Sequence, residues 1–106
     1  MVHQHHKETM CPKFESAFEL LGKRWNGLII QSLFDGPMRF RELTVRIPNL
    51  SDRMLAERLR EMEQASIVER HVYPETPVRI EYSLTNKGLD LRTAMEEVHR
   101  WAERWS

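Results

Sequence analysis

The sequence predicts a mainly α-helical fold that carries one small β-hairpin. Three observations lead there. Two short segments with apolar inner faces at helical spacing lie on either side of Pro48. Directly after them the apolar period changes from 3.6 to 2. Amphipathic helical segments occupy both ends of the chain.

Residues 1–10 are polar and read as a flexible arm. Phe14, Ala17, Phe18 and Leu21 then recur on one helical face. Pro12 suits the first turn of that helix and Gly22 its end. A second helix carries Trp25, Leu28, Ile29 and Leu33 and stops at Asp35-Gly36-Pro37. Phe40, Leu43 and Ile47 mark a short third helix. Pro48 ends it, because proline has no N–H to donate and restricts the residue before it. Asn49 and Ser51 both suit the N-cap of a fourth helix, whose inner face holds Leu55, Leu59 and Met62. The turn between these helices comes to about three residues, the length a helix-turn-helix uses.

Val68, Arg70 and Val72 alternate with polar neighbours, as do Val78, Ile80, Tyr82 and Leu84, and Tyr73-Pro74-Glu75-Thr76-Pro77 forms the tip between them. Thr85-Asn86-Lys87-Gly88 punctuates the chain, and one long helix fills 86–105. A helix-turn-helix (40–65) followed directly by a hairpin (67–84) is a winged helix-turn-helix. Residues 11–106 form a single such domain, as a chain of 106 residues allows.

Sixteen Lys and Arg balance sixteen Asp and Glu, so the net charge is +0 and bulk charge does not hold this chain to a polyanion. The charge is sorted instead. Residues 36–60 carry six arginines (Arg39, Arg41, Arg46, Arg53, Arg58, Arg60) against Glu42, Asp52 and Glu57. Arginine's planar fork suits phosphate oxygens and guanine edges. On the fourth helix Arg53, Glu57 and Arg60 fall opposite the apolar stripe. Alone, that pattern is a solvated face with i,i+4 pairing. On the second helix of a helix-turn-helix it reads as a surface for double-stranded DNA. The candidate contacts are Arg39, Arg41, Ser51, Asp52, Arg53 and Glu57, with Arg79 from the hairpin. Glu57 either reads cytosine or orients Arg53.

In the last helix Leu91, Met95, Val98, Ala102 and Trp105 follow a heptad-like spacing, widened by Ala94 and Trp101. So small a domain has limited core to cover this stripe and that of the first helix. Pairing across a two-fold axis covers both, which makes Phe14, Phe18, Met95, Val98, Trp101 and Trp105 the expected homodimer interface. Two recognition helices about one DNA turn (~34 Å) apart imply a pseudo-palindromic operator.

Cys11 is the only cysteine, so no intrachain disulfide forms. It precedes Pro12 at a helix start, where unpaired N–H groups and the helix dipole stabilise a thiolate. A free cysteine buried among helices is inert. Position alone leaves both readings open. His3, His5 and His6 with Cys11 lack the spacing of a structural zinc site, so neither metal nor cofactor is expected. A thiol enzyme needs an ordered base beside its nucleophile. The nearest histidines lie on the arm, which points away from catalysis. No apolar run reaches the ~20 residues of a membrane span, and the first residues lack the apolar core of a secretory signal. Both features and the lone thiol suit the cytoplasm.

The sequence resembles the HxlR-type winged helix-turn-helix regulators, relatives of the MarR group. The matching residues are Cys11-Pro12, Leu21-Gly22-Lys23-Arg24-Trp25, Gly36-Pro37 with Arg39-Phe40-Arg41-Glu42-Leu43, and Leu55 with Arg58-Leu59. Ile67-Val68-Glu69-Arg70, Pro74, Pro77, Glu81-Tyr82-Ser83-Leu84-Thr85, Lys87-Gly88 and Trp101 continue the match. Residues 11–18 and 54–59 are similar to the branch of repressors that sense quinones and diamide through an N-terminal cysteine. The resemblance implies that Cys11 is the sensing residue, that small electrophiles are the signal, and that detoxification genes are repressed. Some members pair that cysteine with a C-terminal one across the dimer, which this chain lacks. S-alkylation, a mixed disulfide, or a disulfide between the Cys11 thiols of two subunits then remain. The alternatives are a DNA-binding regulator with a structural cysteine and a non-covalent inducer, and a winged module used only for protein contacts. DNA affinity that falls steeply with salt excludes the last.

Overall fold

The computed structural model describes residues 9–106, so the expected arm lies largely outside it, as do His3, His5 and His6. In chain order the elements are α1 (Pro12–Leu21), α2 (Asn26–Leu33), α3 (Phe40–Arg46), α4 (Asp52–Gln64), β1 (Val68–Tyr73), β2 (Arg79–Leu84), α5 (Asn86–Leu89) and α6 (Arg92–Trp105). This is a mostly helical winged helix-turn-helix with a two-stranded antiparallel hairpin. Among the described residues no helix is long and apolar enough to cross a membrane.

The core gathers one face from each inner element. Ile29, Ile30 and Leu33 of α2 meet Leu43 of α3, then Leu55, Leu59 and Met62 of α4, with Ile67, Val68 and Leu84 closing the wing side. Burying each such side chain stabilises by ~1.5–3 kcal/mol before chain entropy is counted.

Several details depart from the sequence reading. Trp25 lies outside α2. It precedes that helix in a left-handed conformation, φ 83°, so the helix turns Ile29 and Ile30 inward and leaves Leu28 exposed. The turn between α3 and α4 spans 47–51 rather than about three residues. It is longer because Leu50 dips into the core, with its N–H donating to Ile47 O at 3.1 Å. Of the two candidate N-caps, Ser51 is used: its hydroxyl accepts from Met54 N at 3.1 Å. The expected single helix over 86–105 is two. At Asp90-Leu91 the chain makes a tight turn, Leu91 N–H reaching Gly88 O at 3.1 Å, before α6 begins.

The hairpin pairs Val68 with Leu84 through to Tyr73 with Arg79. Val78 falls in the exposed connection instead of the second strand. Met38 adds a short bridge, exchanging both backbone hydrogen bonds with Tyr82 at 2.9 and 2.8 Å. That bridge ties the wing to the segment leading into α3, so the wing and the first helix of the helix-turn-helix share one frame.

Candidate nucleic-acid interface and exposed thiol

The amphipathic pattern of α4 sets its outer face. With Leu55, Leu59 and Met62 inward, Arg53 and Arg60 are exposed and Glu57 is half-buried at its rim. Ser51 and Asp52 are exposed at the helix start, where the Ser51 hydroxyl is engaged as the cap. Arg39 and Arg41 are exposed at the start of α3. The backbone N–H of Arg39 donates to Glu42 Oε1 at 2.7 Å, which fixes that turn.

The six arginines divide into two groups. Arg46 holds Asp35 through both terminal nitrogens, at 2.9 and 2.8 Å, and so braces α3 against the end of α2. Arg58 is buried; its Nε donates to Arg24 O and its Nη1 to Glu61 Oε1, each at 3.1 Å. Among the described residues Arg39, Arg41, Arg53 and Arg60 have no carboxylate within ion-pair distance. The outward charge is therefore four arginines, not six. Glu57 lies 3.7 Å from Arg58, so its recorded ion pair is with that residue and not with Arg53.

Arg79 is expected to face DNA from the wing. Its guanidinium already bonds Glu81 at 2.7 Å and Glu75 at 3.0 Å and lies 3.9 Å over the Tyr73 ring. The hydrogen bond from Arg79 holds the Glu75 carboxyl below the ordinary carboxylate range, and the charge of Arg39 adds to this.

At the other end of α1 the Cys11 thiol is exposed. Cys11 is the N-cap residue, and its carbonyl accepts from Glu15 N at 3.0 Å while its side chain makes no capping bond. No residue of α1 is buried. A groove of about 710 Å³ separates its outer turns from the body, lined by Pro12, Lys13, Ser16, Ala17, Leu20, Ala65 and Lys87. The rings of Phe14 and Phe18 meet tilted by 58°, with centroids 5.0 Å apart. These two, with Val98, Trp101 and Trp105 of α6, each leave more than half of their surface exposed. Met95 differs: it is half-buried against α2, its Cε 3.7 Å from where a Cβ on Gly27 would lie. Among the described residues no three His, Cys, Asp or Glu side chains group to hold a metal ion.

A family model described as HxlR-like helix-turn-helix matches residues 20–106. The HTH-type transcriptional regulator YodB of Bacillus subtilis (strain 168) is 61% identical over 97 residues, 92% of this chain and 87% of YodB. The crystal structure of quinone-bound YodB from B. subtilis superposes with a TM-score of 0.79 at 55% identity, covering 91% of this chain and 100% of that one. The redox regulator HypR in its oxidized form gives a TM-score of 0.85 at 35% identity, covering 91% and 98%.

Proposed function

The chain belongs to the HxlR-like helix-turn-helix family, and from that premise we propose that it is a dimeric, cytoplasmic repressor that releases its operator when an electrophile modifies Cys11. It is a helix-turn-helix transcriptional regulator, like its relatives. The finer reading rests on one observation above all: the only thiol stands exposed at the head of a helix whose outer apolar residues, Phe14 and Phe18, are uncovered. The quinone-bound state of so similar a protein supports the class of signal.

DNA is read by α4 in the major groove. Arg53 and Glu57 face base edges, Arg39 and Arg41 hold phosphates, and Ser51 and Asp52 set the helix start against the backbone. Arg79 contacts DNA only by giving up carboxylates that it now holds. Phe14, Phe18, Val98, Trp101 and Trp105 form the two-fold interface, with Met95 at its inner margin. That pairing places two copies of α4 on successive half-sites of a pseudo-palindromic operator.

The chemistry balances without a cofactor. The thiolate Sγ adds to a quinone ring carbon. A C–S bond forms, the displaced π electrons move to the carbonyl oxygen, and proton uptake with tautomerisation leaves a hydroquinone thioether. With diamide, Cys11 and a small thiol join in a disulfide and the azo group takes up the two electrons and two protons. Either product sits at the head of α1, on the proposed seam, and shifts one subunit against the other.

Replacing Cys11 with Ser tests this. Operator binding should persist, and a quinone should no longer release it in a gel-shift assay. Release that survives the change would mean a structural thiol and a non-covalent inducer.

A further inference from the structure

Resting on the regulatory reading above, we propose that Arg58 and Glu61 are positioning residues that lock the recognition helix α4 to the segment leaving α1. Movement of α1 then reaches the DNA-reading face through that junction.

Only the inner end of α1 is held by the body, where Leu20 and Leu21 pack against the core. None of its residues is buried, and the groove beneath Pro12, Lys13 and Ala17 separates its outer turns from the body. Its inner end is tied down. Asn26 is fully buried and its Nδ2 donates to Leu20 O at 2.9 Å. Two contacts then cross from the following residues to α4. Arg58 Nε donates to Arg24 O at 3.1 Å, and Lys23 Nζ donates to Glu61 Oε1 at 3.1 Å. Arg58 Nη1 reaches the same carboxylate oxygen at 3.1 Å, so one carboxylate gathers a cation from each side of the junction.

The bond to Arg24 O carries the argument further than an ion pair would. It fixes main chain, not just charge, and it comes from a guanidinium that the helix has buried. A well-packed apolar side chain there would serve stability as well or better. What the arginine adds is a defined distance between two backbones. One residue on, Trp25 is held at φ 83°, a conformation that a residue with a β-carbon rarely adopts and that persists only when neighbours impose it. Arg24 lies 4.4 Å over the Trp25 ring. The junction is thus a strained joint, flanked by the outer helix on one side and gripped by α4 on the other. Backbone strain of this kind clusters at switch regions, where it forms part of the mechanism.

The test uses the full chain, an operator fragment and a quinone, with intact mass confirming that Cys11 is modified. For each protein the operator Kd is measured before and after modification, and their ratio is the coupling. This ratio cancels any effect that a charge change has on DNA affinity in both states. Glu61→Gln should shrink the ratio about tenfold, within the range of ordinary allosteric coupling. Lys23→Gln, at an exposed side chain, should shrink it about threefold, and it keeps the question answerable if Glu61→Gln does not fold. A ratio within twofold of wild type in Lys23→Gln and in a folded Glu61→Gln overturns the junction while leaving thiol sensing intact. Wild-type protein that is modified yet keeps its operator instead sinks the sensing reading, and the junction with it.

Discussion

Arg53 and Arg58 have the same side chain on the same helix, five positions apart, and opposite duties. Arg53 follows the N-cap residue by two, on the face turned from the Leu55–Leu59–Met62 stripe, with no carboxylate of the described chain in reach. Arg53→Ala should therefore weaken operator binding by ~1–3 kcal/mol and relax specificity at one base position, leaving random DNA less affected. Titration against matched and scrambled duplexes checks this; an equal loss on both makes Arg53 a phosphate contact. The sequence shows an arginine-rich stretch, and helical spacing alone places Arg53 and Arg60 outward. It does not show that Arg46 is spent on Asp35, or Arg58 on the Arg24 carbonyl, because those partners lie on other segments; Glu61, three positions along α4, joins Arg58 only once that side chain is turned inward. Arg79 is captured by Glu81, two positions along the same strand, and by Glu75 of the tip, the latter pairing depending on how the hairpin closes. Faces set by helical spacing were legible, and the partners each side chain takes after folding were not.

The same division holds for elements. Apolar period, proline stops and capping residues placed the helix-turn-helix and the wing, since each is a local signal. The lengthened turn at 47–51, the bridge from Met38 to Tyr82 and the break between α5 and α6 all depend on tertiary contact. Gly88 shows how. A Cβ there would stand 2.5 Å from Ile67 O and 3.0 Å from Leu84 Cδ2. That carbonyl has no freedom to retreat, because it accepts from Thr85 N at 3.0 Å and Thr85 Oγ1 at 3.2 Å. Helix propensity alone favours alanine over glycine by roughly 1 kcal/mol. Overpacking against fixed backbone costs ~1–3 kcal/mol and takes away the Thr85 bonds as well. Gly88→Ala should thus destabilise by at least about 1 kcal/mol, or ~4–8 °C in Tm. A higher Tm in thermal unfolding would mean that α5 does not press on the Ile67 carbonyl in this way.

For the molecule as a whole, the decisive feature is where its apolar surface goes. Ile29, Ile30, Leu43, Leu55 and Leu59 fill the centre, yet the aromatic residues of α1 and α6 stay outside it. A monomer would carry Phe14, Phe18, Val98, Trp101 and Trp105 as exposed surface, which soluble monomers rarely sustain as a contiguous patch. In the dimeric reading proposed above a second copy is the occupant, since one α4 would then read only half an operator. Val98 lies midway along the exposed face of α6 and, unlike Met95, has little to do within its own chain. A carboxylate in its place would be buried without a partner in the dimer and solvated in the monomer. Val98→Glu should therefore leave the circular dichroism spectrum unchanged while sedimentation shows a monomer. Operator affinity should fall by about 10²-fold or more, because the two half-sites no longer share one binder. If the variant still sediments as a dimer with wild-type affinity, the two-fold seam lies elsewhere than on these helices.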